Sequence, residues 1–391
     1  MTSGSGTVLC VVGARPNLMK MAPVMRALAS HAPAIPALLV HTGQHYDNDM
    51  SGRLFADLQL PHPSVNLAVG SASHAVQTAD VMRLFEPVVD AHRPSCVVVV
   101  GDVNSTLACA LVAAKKDIPV AHIEAGLRSH DRTMPEEINR VLTDQISGRL
   151  YTTERSAHDN LRQEGVPSDR IIFSGNVMID SVVFGRSNAP RGASTLQALK
   201  VCPTIWSHPL GYGVVTLHRP SNVDNPETLR ALLGVIGEVA SSLPVVFVLH
   251  PRTRNNMQRF GLMELVDPTR IALLPPQGYL EMQGLAADAS VVLTDSGGLQ
   301  EETTALGVPC LTLRENTERP ITVEQGTNTL VGRDRVKILA AVQEILNGRG
   351  KCGRVPEYWD GHAAERIAAD LFQWLIARQN VADRGVGRII P

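Results

Sequence analysis

Short apolar runs rich in β-branched residues alternate with helix-length amphipathic segments along this chain, and midway the alternation starts again. Strands that are apolar on both faces must be covered on both sides, so such a chain folds as parallel sheets wound with helices. In the first half the pattern predicts strands at Val8–Val12, Ala37–His41, Cys96–Gly101, Val120–Glu124 and Arg170–Ser174. In the second half it predicts them at Gly213–His218, Val245–His250, Ile271–Leu274, Val291–Asp295 and Cys310–Leu313, with helical segments such as Pro226–Ser241 and Arg335–Asn347 between. From about Ser187 to Gly213 the chain is rich in Pro, Gly, Ser and Asn and loses its periodicity, as a linker does.

At 391 residues the chain is too long for one ordinary core and long enough for two. The expected organisation is a doubly wound α/β domain over 1–180 and a second over 181–364, with a C-terminal helix in 365–391 packing back on the first. Domains of this kind bind ligands at the carboxyl ends of their strands, here facing a shared cleft. A formal net charge of -2 and 4% aromatic residues supply neither a field nor stacking platforms for nucleic acid. No run approaches the roughly 18 apolar residues that cross a bilayer, and the run Val8–Val12 is too short for a signal sequence. Six scattered cysteines without a CxxC pair read as small buried hydrophobes in a reducing compartment, so a cytoplasmic protein is expected.

Several strand ends carry chemistry. Thr294-Asp295-Ser296-Gly297-Gly298-Leu299-Gln300-Glu301-Glu302 is a strand, a small-residue turn and a helix start, whose exposed N–H groups suit a diphosphate while Glu302 suits ribose hydroxyls. The same pattern also describes an ordinary Ser-capped helix. His218 and Arg219 end a second-half strand and suit a phosphate or leaving-group oxygen, and His250 is placed similarly. Asp102 and Glu124 stand at the ends of very apolar strands, where acids are costly unless they face a cleft and have partners. Arg15 and Lys20 follow the first strand and read either as phosphate-binding or as solvated helix-end charges. Glu136 lies in Thr133-Met134-Pro135-Glu136, which is also a capping-box spacing, and Arg140, four residues on, is spaced to pair with it. The first turn, Gly13-Ala14-Arg15-Pro16-Asn17, lacks the glycine fingerprint of nicotinamide-binding domains, which disfavours a dehydrogenase.

Taken together, Gly13-Ala14-Arg15-Pro16 with Lys20, Thr42-Gly43-Gln44-His45, Gly101-Asp102, His122-Ile123-Glu124-Ala125-Gly126-Leu127-Arg128, Pro135-Glu136-Glu137-Ile138-Asn139-Arg140, Asp295 to Glu302 and Thr317-Glu318-Arg319-Pro320 resemble the non-hydrolysing UDP-N-acetylglucosamine 2-epimerases. The resemblance spans nearly the whole chain. It implies two Rossmann-like domains of the GT-B kind, a homodimer, a UDP-sugar substrate and neither metal nor redox cofactor. It implies acid/base roles for Asp102, Glu124 and Glu136, with Arg15, Lys20, Arg140 and His218 binding phosphate or assisting departure of UDP. Ser296, Gly297, Gly298, Glu302 and Arg319 then contact UDP, and the backbone near Met282 holds uracil. Gln44, Arg219 and His250 are the implied contacts of a second, activating UDP-N-acetylglucosamine.

Two stretches depart from the commonest form of the family: a short segment between Glu124 and Pro135, and Arg-Pro-Ser-Asn after His218. They leave room for a related substrate such as a diacetamido uronic acid. A hydrolysing 2-epimerase releasing N-acetylmannosamine shares most of the site. A GT-B glycosyltransferase, which needs an acceptor to consume its donor, or an inactive sugar-nucleotide sensor would also bind a UDP-sugar with residues of these kinds.

Overall fold

Runs that are apolar on both faces become the interior strands of two parallel sheets. The computed structural model describes residues 6–43 and 48–386. The chain divides into two compact units, one built from 1–181 together with 357–391 and the other from 182–356.

Unit 1 contains β1 (Val8–Val12), α1 (Arg15–Ser30), β2 (Ala37–His41), α2 (Asn48–Asp57), β3 (Val65–Asn66), α3 (His74–His92), β4 (Cys96–Val100) and α4 (Asn104–Lys115). It continues through β5 (Val120–Ala125), α5 (Pro135–Ile146), β6 (Arg149–Thr152), α6 (Arg155–Gln163), β7 (Ile171–Phe173) and the start of α7 (Val177–Arg186). The seven strands are ordered β3-β2-β1-β4-β5-β6-β7 and pair in parallel throughout. β4 and β5 are wholly buried, and the small residues Ala108, Cys109 and Ala110 let α4 lie close against them. A Ser73 side chain accepting from Val76 N–H starts α3.

Unit 2 contains α8 (Gly192–Ala198), α9 (Pro203–Trp206), β8 (Gly213–Thr216), α10 (Pro220–Val223), α11 (Pro226–Ala240), β9 (Val245–Val248), α12 (Pro251–Arg259) and β10 (Ile271–Leu274). Then follow α13 (Tyr279–Ala287), β11 (Val291–Thr294), α14 (Gly297–Leu306), β12 (Cys310–Thr312), α15 (Pro320–Glu324), β13 (Asn328–Leu330) and α16 (Arg335–Leu346). The order is β10-β9-β8-β11-β12-β13, again parallel. Val215, Phe247 and Leu293 face one apolar core while Val214, Val246 and Val292 face another, which is the period-two alternation of a sheet covered on both sides. Asn225 and Asp334 cap α11 and α16.

The last helix, α17 (Ala363–Val386), belongs to unit 1 and packs on α1. Among the described residues no helix is long and apolar enough to cross a membrane.

Three strands lie outside the runs that periodicity singles out. β3 is two residues long, and β6 and β13 carry Arg149, Thr152, Asn328 and Thr329. Their polar groups are satisfied by tertiary partners, Arg149 by Asp370 of α17 at 2.6 and 2.8 Å and Asn328 by Thr312 at 2.6 Å.

In each sheet the strand order reverses once, between β1 and β4 in unit 1 and between β8 and β11 in unit 2. At such a point the loops leaving the two neighbouring strands diverge and open a crevice at their carboxyl ends.

Candidate functional site

In unit 1 the loops that diverge are Gly13-Ala14-Arg15 after β1 and Gly101-Asp102 after β4. Asn17 ties them, its side chain accepting from Ala14 N–H at 3.0 Å and donating to the Val100 carbonyl at 2.9 Å. Arg15 begins α1 on the exposed side, and Lys20, a turn and a half further on, is buried. The Lys20 ammonium pairs with the Glu124 carboxylate. Gly101 makes room for this at φ +70°: a Cβ there would lie 3.2 Å from the Asn17 amide and 3.5 Å from Lys20 Nζ.

Glu124 reaches Lys20 by an irregularity in β5. The pairing with β6 shifts register between Ile123 and Ala125, and Glu124 sits at φ +69°, a conformation that side-chain-bearing residues avoid. A strictly alternating strand would aim His122 and Glu124 to the same face. Instead His122 meets Asp144 on α5 and Glu124 meets Lys20 on α1.

Asp102 receives Arg140 from α5, while its own carbonyl accepts from the Asn139 amide at 2.9 Å. The other arm of Arg140 donates to Glu137 at 2.7 Å. Glu137 also accepts from the backbone and hydroxyl of Ser129 and from His130 N–H, each at 3.0 Å. Burial alone would raise the Glu137 pKa, but those bonds and the Arg140 charge hold it below the ordinary carboxylate value.

The sequence spacing is corrected on two points here. Arg140 pairs with Glu137 and not with Glu136, and no capping box forms, because Met134 occupies the N-cap of α5 without a side-chain bond. Glu136 is half-buried on the first turn of α5, and among the described residues no hydrogen bond or ion pair reaches its carboxylate.

In unit 2 the diverging loops are His218-Arg219 after β8 and Asp295-Ser296 after β11. Asp295, fully buried, organises both. It accepts from the backbone N–H of His218 and Arg219 at 3.0 Å, from the Asn222 amide at 3.1 Å and from His218 Nδ1 at 2.9 Å. Burial would raise its pKa, but the His218 bond and charge and the backbone donors hold it below the usual value. The imidazole is thereby oriented with Nε2 outward, its side chain 35% exposed. His250 stands beside it, ring centroids 5.6 Å apart, and caps α12 by accepting from Arg252 N–H.

Ser296 is the N-cap of α14, yet its side chain makes no capping bond, so the Ser-capped reading does not hold in its usual form. Gly297 and Gly298 open the helix. The Glu302 carboxylate comes back along the first turn to 4.0 Å from where a Cβ on Gly298 would be, as does Ser296 Oγ. A Cβ on Gly297 would lie 2.8 Å from Glu318 Oε1.

Glu318 itself is engaged by Arg314 at 2.8 Å and Arg219 at 3.3 Å. Burial works against its charge, but Arg319, Arg314 and Arg219 together bring its pKa down to about 2. Arg319 pairs with Glu301 at 3.0 Å. The arrangement is therefore a helix N-terminus that Ser296 leaves without a side-chain cap, a fixed imidazole and a group of arginines, which is a chemistry for holding and neutralising an anionic oxygen.

Met282 lies within α13, its side chain against the core and its N–H bonded to the Gly278 carbonyl at 3.0 Å, so that N–H is already engaged. Gln44 lies outside the described residues. Sequence reasoning missed the partners more than the principals: Glu137, Asp144, Asp295 and Glu318 all lie within the quoted motifs or beside them, but only the fold shows what each one holds.

Residues 27–371 match the profile of the family described as UDP-N-acetylglucosamine 2-epimerase. The chain is similar to the UDP-N-acetylglucosamine 2-epimerase of Methanocaldococcus jannaschii, 42% identical over 92% of this chain and 97% of that protein. It is 38% identical to the UDP-2,3-diacetamido-2,3-dideoxy-D-glucuronate 2-epimerase of Pseudomonas aeruginosa, over 93% of this chain and 99% of that one. Among solved structures, the M. jannaschii UDP-GlcNAc 2-epimerase in complex with UDP-GlcNAc and UDP superposes with a TM-score of 0.83 at 39% identity, covering 94% of this chain and 99% of that one.

Proposed function

Because this chain belongs to the UDP-N-acetylglucosamine 2-epimerase family, we propose that it interconverts UDP-N-acetylglucosamine and UDP-N-acetylmannosamine by eliminating UDP and adding it back, without hydrolysis. It is an isomerase. The observation that carries the chemistry is the placement of Asp102 and Glu124 at the carboxyl ends of adjacent strands, where Arg140 reaches Asp102 and Lys20 reaches Glu124.

The C2 proton of an N-acetylhexosamine has no neighbouring carbonyl to acidify it, so the leaving group must depart as the proton is taken. The C2–H electrons form the C1=C2 double bond of a 2-acetamidoglucal, and the C1–O pair leaves on the β-phosphate of UDP. Within unit 2, His218 through Nε2 and the N-terminus of α14 suit that developing charge, and Ser296, Gly298 and Glu302 suit the nucleotide. UDP then adds back to C1 as a proton is delivered to the opposite face of C2. Inversion needs groups on two faces. Asp102, Glu124 and Glu136 supply those groups.

Incubation with UDP-N-acetylglucosamine in D2O, followed by proton NMR, tests this directly. The expected product carries one deuteron at C2, with no dependence on added NAD. Product without deuterium, or free N-acetylmannosamine with UDP as the only products, overturns the reading. Asp102→Asn, Glu124→Gln and Glu136→Gln are each expected to lose about 10²-fold or more in turnover while keeping their affinity for UDP. Near-wild-type rates in all three would remove the roles assigned to them.

The Pseudomonas relative supports a second substrate, a UDP-diacetamido uronic acid, at the same site. Side-by-side turnover of the two sugars decides between them. A cytoplasmic homodimer completes the proposal. Six unpaired cysteines support a reducing compartment, and exposed Ile138 and Leu142, one turn apart on α5, support an apolar contact between copies. Light scattering on the purified protein gives the oligomeric state.

A further inference from the structure

Beneath the two carboxylates of unit 1 lies a buried polar network that the reaction as described does not use. His122, on β5, is fully buried with both ring nitrogens engaged: Nε2 on the Gly101 carbonyl at 2.8 Å and Nδ1 on Asp144 at 2.6 Å. Asp144, on the third turn of α5, spends its second oxygen on Gly126 N–H at 3.1 Å and on Arg128 at 2.7 Å. Arg128 is in turn held by Glu164 through two bonds of 2.7 and 2.6 Å.

The two backbone groups tied by this network are telling. The Gly101 carbonyl immediately precedes Asp102, and Gly126 N–H comes two residues after Glu124. A third tie, Gly101 N–H to the Ile123 carbonyl at 3.1 Å, joins the residue before Asp102 to the residue before Glu124. Gly101 and Glu124 both sit at positive φ, +70° and +69°, and for Glu124 that conformation persists only where the surroundings over-determine it. Asp144 supplies the restraint on both: directly at Gly126, and at Gly101 through the imidazole it holds.

We infer that Asp144, acting through His122, is a positioning residue that sets how Asp102 and Glu124 are presented to the sugar. The inference rests on the epimerase reading for its substrate but not for its geometry. A buried His–Asp pair that served stability alone would have no reason to end on the backbone beside each proposed acid. Here one carboxylate clamps the turn after β4 and the bulge of β5 at once, so a shift in it moves both.

The test uses Asp144→Asn, His122→Gln and His122→Asn in the full-length protein, assayed below the melting temperature of each. A glutamine amide reaches the position of Nε2, and an asparagine amide only that of Nδ1. Asp144→Asn is expected to lose about 10²-fold in turnover, as a displacement of ~1 Å costs, with its UDP dissociation constant unchanged. His122→Gln is expected to keep more of its rate than His122→Asn. Amide exchange at 101–102 and 124–126 is expected to rise together in Asp144→Asn. Wild-type turnover in folded Asp144→Asn, or equal rates for the two His122 variants, overturns the inference. Should the wild type show no C2 exchange, the epimerase reading falls, and the clamp is judged by amide exchange alone: it stands if both segments loosen and falls if either stays protected.

Discussion

Arg140 holds two carboxylates on one guanidinium, and that geometry makes it hard to replace. Its forked donors reach Glu137 and Asp102 at once, whereas an ammonium is a single point on a flexible stem. Arg140→Lys is therefore expected to keep the pair with one acid and lose the other, lowering kcat about tenfold or more with little change in the affinity for UDP. Unchanged kcat in that variant would show that Asp102 is held by other groups. The same residue marks where local spacing stops being informative. Both Glu136 and Glu137 lie within about one turn of Arg140, and the sequence offers no way to choose between them. The choice is made by the 129–130 turn, whose N–H groups capture Glu137 and so place it under the arginine. Asp295 was legible as part of a motif, but its task of orienting His218 depends on β8 and β11 being neighbours although their last residues, Thr216 and Thr294, stand 78 positions apart. Glu318 lies beside Gly297 for the same kind of reason.

At the scale of elements, the long apolar runs were readable because burial on both faces of a parallel strand forces them to be apolar. Helix junctions were not readable in this way, and α7 and α17 show why. Asp180 of α7 accepts the first two N–H groups of α17, from Ala363 at 3.1 Å and Ala364 at 2.7 Å, across a gap of more than 180 residues. Burial is the larger influence and raises the Asp180 pKa from 3.8 to about 6 despite those two donors. Between these values the folded chain holds at Asp180 a proton that the unfolded chain has released, so the contribution of Asp180 to stability falls as pH rises from about 4 to about 6 and is level above. The penalty reaches about 3 kcal/mol for a shift of that size. Urea unfolding of wild type and Asp180→Asn at several pH values isolates it: the variant is expected to gain on the wild type as pH rises through that window. A difference that stays constant with pH would show that Asp180 is ionised throughout.

For the whole molecule, the restart of the alternation announced two parallel sheets, and the composition change at Ser187–Gly213 lies just beyond the point where the first unit ends at Ser181. The return of the chain to unit 1 at Glu357 was less visible, because residues 351–362 carry no periodicity. Their anchoring is tertiary: Trp359 is buried with its indole N–H on the Thr153 carbonyl, and the Arg155 guanidinium is bound twice by Glu357, at 2.7 and 2.8 Å. The C-terminal helix is thus part of the unit that carries the proposed acids, and damage to it should fall there. Leu371, fully buried on α17, tests this, since truncation to alanine leaves a cavity costing about 2–5 kcal/mol. Leu371→Ala is expected to lose amide protection in peptides from 6–181 and 357–386, with peptides from 182–356 unaffected and the UDP affinity retained. Epimerase turnover should fail on warming before UDP binding does, because Ser296, Gly298 and Glu302, proposed to hold the nucleotide, lie in the other unit. Equal loss of protection in both sets of peptides would mean that the two units unfold as one cooperative body, and the division of labour between them would then have no counterpart in stability.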